Sequence, residues 1–164
     1  MVKKLTIFFI VLIFCQCMTW EPLRIKKEDN LTGKLRLDGY YYIFSPDFNV
    51  NEVIFLYSNG VIYQLNDSWS DLNIIEGRLA QNFYIQNGAN QDNPAHWGSY
   101  TIKRDSIYTD RWTSGGGTGD KPREYGVGRI LNDTTFTNSA FGGRGPFRFR
   151  HFPIKPDSTN RFVK

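Results

Sequence analysis

The chain has 164 residues, with 20 Lys plus Arg against 16 Asp plus Glu, and 16% of its residues are aromatic. Two of the bases, Lys3 and Lys4, head a leading apolar segment; without them 18 bases face the 16 acids. Such a balance makes no strong case for nucleic acid, which requires a concentrated basic face, and the length suits one domain. Both cysteines, Cys15 and Cys17, fall in the leading segment, which excludes a disulfide-stapled fold for the rest.

The leading segment runs from Lys3 and Lys4 through an unbroken apolar stretch, Leu5 to Phe14, into Cys15-Gln16-Cys17. A stretch of about ten residues is short of the roughly 20 that span a bilayer as a helix, and the pattern is that of an export signal. The segment resembles the signal of a bacterial lipoprotein, which is cut just before a cysteine that carries lipid. Cys17 is the expected lipidation site, with Cys15 the alternative, because Phe14 is a bulky neighbour for cleavage before Cys15. An ordinary secretory signal with incidental cysteines is the first alternative, and an uncleaved anchor the more remote one. The expected division is 1–16 signal peptide, 17–33 lipid-attached tether and 34–164 domain. The expected location is the bacterial cell envelope, on a membrane, in the outer membrane or at its periplasmic face. Residues 18–33 have mixed charge and little periodicity, which suits a tether.

Lys34 to Phe44 is the first predicted strand, with Asp38-Gly39 predicting a bulge or bend inside it. Glu52 to Leu65 holds two β-rich runs around Asn59-Gly60; both residues tolerate positive φ, which predicts a tight hairpin with a type I′ turn. Between Ser70 and Gly88 the period changes: Leu72, Ile75, Leu79 and Phe83 recur at three and four residues, which predicts one helix capped by Ser70, or alternatively a strand pair. Gly77 costs such a helix roughly 1 kcal/mol relative to alanine. Trp97 to Trp112 predicts two strands turning near Arg104-Asp105. Ser114 to Pro122 is a glycine-rich loop. Glu124 to Asn138 predicts a hairpin turning near Asn132-Asp133, with Gly126 and Gly128 marking a sharp bend or close packing. After a second glycine loop, Phe147 to Phe152 alternates Phe147 and Phe149 with Arg148 and Arg150, a strand with one apolar and one basic face. Residues 156–164 predict a short final strand. Eight antiparallel strands and one helix predict an all-β fold, an up-and-down eight-stranded barrel, since closure removes exposed edges.

The order LRLDGYYY, FLYSNGVIY, WGSYTI and GRILNDTTF resembles that of small lipocalin-like lipoproteins of Gram-negative bacteria. The likeness covers residues 34–164. It implies a barrel shape and an envelope location, and no reaction. The helix near Ser70 departs from a simple lipocalin, whose main helix lies near the C-terminus.

The sequence offers little chemistry. His96 and His151 are its two histidines, and no HExxH, CxxC or paired-histidine spacing occurs, so neither a metal site nor a cofactor is expected. His96 reads as a loop or strand-edge residue, and His151 as part of a solvated face. Gly119 is followed by Asp120, Lys121 and Pro122, which is not the spacing of a phosphate loop. No GxSxG elbow is present. Asp105 and Asp110 read as surface charge. The aromatic set Tyr40, Tyr42, Trp97, Tyr100, Trp112, Phe147 and Phe149 has two readings: the lining of a cavity for an apolar ligand, or a filled core. The expectation is a non-catalytic module. Its partners are the membrane through the N-terminal lipid and a small apolar ligand or an envelope protein. A structural barrel with a filled core is the alternative, and an envelope hydrolase the remotest.

Overall fold

The computed structural model describes residues 22–28, 33–45, 49–65, 71–81, 93–113, 123–141 and 145–164. Eight strands in chain order, each antiparallel to its neighbours, close into a barrel: β1 Gly39–Ser45, β2 Asn49–Leu56, β3 Val61–Leu65, β4 Trp97–Lys103, β5 Ser106–Trp112, β6 Arg123–Asn132, β7 Thr135–Phe136 and β8 Phe147–His151. Closure is made by β1 on β8, with Tyr41 opposite Phe149. Among the described residues one α-helix, α1 Leu72–Ala80, lies between β3 and β4.

Alternation along the strands sorts the side chains into two layers. Tyr41, Ile54, Ile62, Tyr100, Ile107, Ile130, Phe136 and Phe147 come one from each strand and share one buried cluster, which places them inside the barrel. The intervening residues of β1 to β5, among them Tyr40, Phe55, Tyr63 and Trp97, point outward. They are nevertheless buried, in a second cluster with Ile75 and Leu79 of α1 and Val163 of the C-terminal segment. A strand covered on both faces is buried along its whole length, as in Val61 to Leu65, where Gln64 alone breaks the apolar run.

The sequence-predicted helix is present over Leu72–Ala80, and Leu72, Ile75 and Leu79 form its packed face. Its cap is Asp71, whose carboxylate accepts from the Asn73 amide at 2.8 Å. Ser70, Phe83 and Gly88 lie outside the described residues, as do the glycine loops at 114–122 and 142–144.

Four predictions need correction. The first strand starts at Gly39 and its irregularity falls between Ile43 and Phe44. Residues 33–38 instead cross the end of the barrel where the short turns lie: Leu35 is buried there and the Arg36 amide donates to the Asp133 carbonyl at 2.9 Å. The Asn59-Gly60 turn is not type I′, because only Gly60 has positive φ, at 77°. Its amide bonds the Tyr57 carbonyl at 3.0 Å, and the Tyr57 amide bonds that of Val61 at 3.0 Å, a three-residue loop closed by a left-handed glycine. Residues 152–164 form no strand. Asp110 is fully buried rather than at the surface. The predicted close packing at β6 is present: a Cβ on Gly128 would lie 1.6 Å from the Thr137 carbonyl oxygen, because the chain after β7 folds across that strand.

Two glycines should respond to substitution with opposite sign. Gly60 needs its left-handed backbone, and a Cβ there would come within 3.1 Å of Glu28 N and Tyr100 O. Gly60→Val should cost about 1–2 kcal/mol or more. Gly77 sits mid-helix with nothing within 4 Å of a Cβ. Gly77→Ala should gain about 0.5–1 kcal/mol. Urea denaturation midpoints check both.

Candidate functional site

The seven aromatic residues singled out from the sequence do not form one site. Tyr100, Phe147 and Phe149 belong to the barrel interior. Tyr40, Tyr42, Trp97 and Trp112 belong to the outer cluster under α1 and the C-terminal segment. Inside, the Phe136 and Phe147 rings stack at 4.9 Å, and Tyr41 meets Phe136 and Phe149 edge-on at 5.1 and 5.3 Å. Outside, Trp97 packs on Tyr63 at 4.8 Å and Trp112 on Phe162 at 6.2 Å.

The interior is apolar toward the short turns and charged toward the longer loops. Arg111 of β5, on the same face as Ile107 and Thr109, is the centre of the charged part. Its Nη1 donates to Glu52 Oε1 at 2.6 Å and to the side-chain amide oxygen Oε1 of Gln64. Its Nε and Nη2 reach Glu124 Oε2 at 3.0 and 2.7 Å, and Nη2 also reaches the Ala140 carbonyl at 3.1 Å. Each of the five guanidinium N–H groups therefore has an acceptor. Beside this cluster Asn138 bonds Thr109, with 3.0 Å from Nδ2 to the hydroxyl, and so ties the chain after β7 to β5. The Arg111 guanidinium and the Glu52 carboxylate are largely withdrawn from water and Glu124 is about one-third exposed; with the Gln64 amide they cross-link β2, β3, β5 and β6.

On the outer wall three further contacts stand out. Arg150 of the basic β8 face forks onto Glu76 of α1 at 2.6 and 3.0 Å, and the Tyr40 hydroxyl donates to the same carboxylate at 3.0 Å. The Arg150 hydrogen bonds hold the Glu76 carboxyl below its ordinary range, against the opposing effect of partial burial. The second contact involves the stretch expected to be a tether. Residues 22–28 lie along β4 and β5: the Arg24 amide donates to Asp110 Oδ2, the Ser99 hydroxyl to the Ile25 carbonyl at 2.7 Å, and Thr101 to Glu28. Burial pushes the Asp110 carboxyl up, while the strap amides and Arg123, 3.5 Å away, pull it down. The third is Lys155, which donates to the carbonyls of Leu37 and Leu56 at 2.7 and 2.6 Å and sits 4.3 Å over the Tyr57 ring. Burial holds its ammonium down at about 8.

His96 lies in a 3-10 turn, Pro94–His96, with Nδ1 2.8 Å from the Gln64 carbonyl, and His151 is exposed 3.7 Å from Asp38. Among the described residues no group of three or more His, Cys, Asp or Glu is arranged to hold a metal ion. Cys15 and Cys17 lie outside the described residues. Residue-by-residue reading missed Arg111, Glu52, Gln64 and Glu124. The available signal was the alternation of β5, which turns Arg111 to the same side as Ile107. No protein-family model, curated protein or solved structure matches the chain.

Removing the Arg111 guanidinium takes the shared counter-charge from the mostly buried Glu52 and from Glu124. Arg111→Met should cost about 3–5 kcal/mol, and adding Glu52→Gln and Glu124→Gln should recover much of it. Urea denaturation of the single and triple variants at one pH measures both numbers.

Stability should also rise and then fall on the alkaline side. Between pH about 8, where folded Lys155 loses its proton, and about 10.4, where an unfolded lysine does, the unfolded chain binds more protons, so stability increases with pH. Above about pH 10 tyrosines ionise in the unfolded chain, whereas burial pushes Tyr40, Tyr41, Tyr57 and Tyr100 up, and stability falls. Melting temperatures from pH 7 to pH 11 give the curve, and Lys155→Met should flatten its rising limb.

Proposed function

We propose that this chain is a lipid-anchored lipoprotein of the bacterial envelope whose barrel is a non-catalytic binding module for an envelope partner. The leading segment and the motif order that resembles lipocalin-like lipoproteins support the location. The observation that carries the binding mode is the packed interior: the rings of Tyr41, Phe136, Phe147 and Phe149 pack against one another in the apolar part, and Arg111, its five N–H groups donated to four acceptor atoms, occupies the charged part. Recognition is then a task of the outer surface.

A second reading keeps a small apolar ligand inside the barrel. Tyr100, Phe147 and Phe149 do share the interior, and an eight-stranded barrel is wide enough for one small ligand. A ligand would have to displace these rings or enter between them.

Protein purified from bacterial membranes decides among these readings. Intact mass should show a chain beginning at Cys17 with added lipid, and Cys17→Ser should abolish that mass and release the protein from membranes, while Cys15→Ser should do neither. Several acyl chains are needed for such retention, since each buried CH2 adds about 0.8 kcal/mol and one chain holds weakly. A chain starting elsewhere without lipid would sink the anchored reading. Solvent extraction of the same sample should release no stoichiometric small molecule; one that is released would favour the ligand-binding barrel.

A further inference from the structure

The wall formed by β5 and β6 differs from the rest of the barrel. Tyr125, Val127, Arg129 and Leu131 alternate along β6 and point away from the interior, because the intervening Gly126, Gly128 and Ile130 face inward. Tyr125, Val127 and Leu131 are 42%, 43% and 54% exposed. Neither α1 nor the C-terminal segment covers this side; both pack with β1 to β5 in the outer cluster, which contains no residue of β6.

Cations surround these apolar groups. The Arg24 guanidinium stands 5.8 Å over the Tyr125 ring, and the Lys103 ammonium 6.0 Å over Tyr108 on the adjoining strand. Arg24, Lys103 and Arg129 are all exposed. The neighbouring acids do not offset them equally. Asp110 is buried beneath the strap and Asp105 is paired with Lys34 at 2.7 Å, while Glu28 is exposed and keeps its charge as it accepts the Thr101 hydroxyl. Asp133 is exposed beyond Leu131, at the turn end. An exposed apolar stripe flanked by arginine and lysine is the composition that anionic phospholipid surfaces attract.

Chain length supplies a separate argument. The strap is fixed to this wall at Pro22, whose carbonyl accepts from Arg123, and at Arg24. Four residues, 18–21, separate Pro22 from Cys17. Fully extended, those steps reach no more than roughly 18 Å. A lipid on Cys17 therefore keeps the side of the barrel bearing Pro22, Arg123 and Tyr125 close to the bilayer.

We propose that the β5–β6 wall, with the strap across it, docks side-on against an anionic phospholipid bilayer through Tyr125, Val127 and Leu131 and the cations Arg24, Lys103 and Arg129. The tether argument rests on the lipid-anchored reading; the charge and exposure arguments do not. The docked barrel leaves α1 and the strands under it facing away from the membrane.

Hydroxyl-radical footprinting of the processed full chain tests this. The protein is placed on vesicles of equimolar phosphatidylglycerol and phosphatidylcholine, on phosphatidylcholine alone, and without vesicles. On the anionic vesicles, oxidation of Tyr125, Val127 and Leu131 should fall severalfold. Phe44 and Ile74, exposed on the α1 side, should be unchanged. The charge-reversal variant Arg24→Glu, Lys103→Glu, Arg129→Glu should lose the protection while keeping the parent circular dichroism spectrum. Equal oxidation with and without anionic vesicles would overturn the proposal, as would equal protection on phosphatidylcholine alone. Protection that appears without vesicles and grows with protein concentration would point to self-association and also overturn it. Intact mass of the same sample separates the two ideas. Lipidated protein without protection refutes the docking face alone, and unlipidated protein that is protected on anionic vesicles refutes the anchor alone.

Discussion

The cross-link made by Arg111 is the constraint on which the loop end of the barrel depends. A guanidinium inside a closed sheet is withdrawn from water and needs an acceptor for every N–H. Here the acceptors come from β2, β3, β6 and the chain after β7, so satisfying one side chain fixes the mutual placement of elements far apart in sequence. The same requirement runs in reverse, because Glu52 and Glu124 would lose a shared counter-charge without it. The path of the chain after β7 follows from this cluster: Ala140 must present its carbonyl to Arg111, and Asn138 must face Thr109. Gly126 and Gly128 leave the room that this path occupies.

A second layer of organisation lies outside the barrel. A small barrel that buried only its interior would leave the outward faces of β1 to β5 unused. In this chain those faces carry Tyr40, Phe55, Tyr63, Trp97 and Trp112, and α1 and the C-terminal segment cover them. Hydrophobic burial supplies the driving force, at about 25 cal/mol per Å2 of apolar surface. Direction comes from polar contacts: Arg150 and Tyr40 hold Glu76 of α1, and Lys155 holds the C-terminal segment to carbonyls at the turn end. The opposite wall, β5 and β6, is crossed by the strap, and its β6 side chains stay exposed. The molecule is thus asymmetric about the barrel axis.

Much of the architecture was legible locally. Strand positions followed from period-2 runs of aromatic and β-branched residues, and the helix from Leu72, Ile75 and Leu79 at three- and four-residue spacing. The turn after Ser58 was legible in place, though not in type, because Asn-Gly suits several hairpin loops and the register decides among them. The division of the aromatic residues between inside and outside was not legible. When both faces of β1 to β3 are buried, alternation carries no label for the interior. Arg111 and Asp110 were similarly opaque, since neighbouring charged residues on one strand point to opposite faces, and both faces here are buried.

The sequence by itself determined the elements, their antiparallel order and the absence of cysteine after residue 17, because these depend on side-chain periodicity, turn residues and composition along short stretches. Tertiary structure alone decided which layer each aromatic joined, which acceptors completed Arg111, and that residues 22–28 lie on β4 and β5 instead of hanging free. Those outcomes depend on groups 13 to 86 residues apart meeting in space, and no local pattern encodes which of many possible partners a buried donor will find.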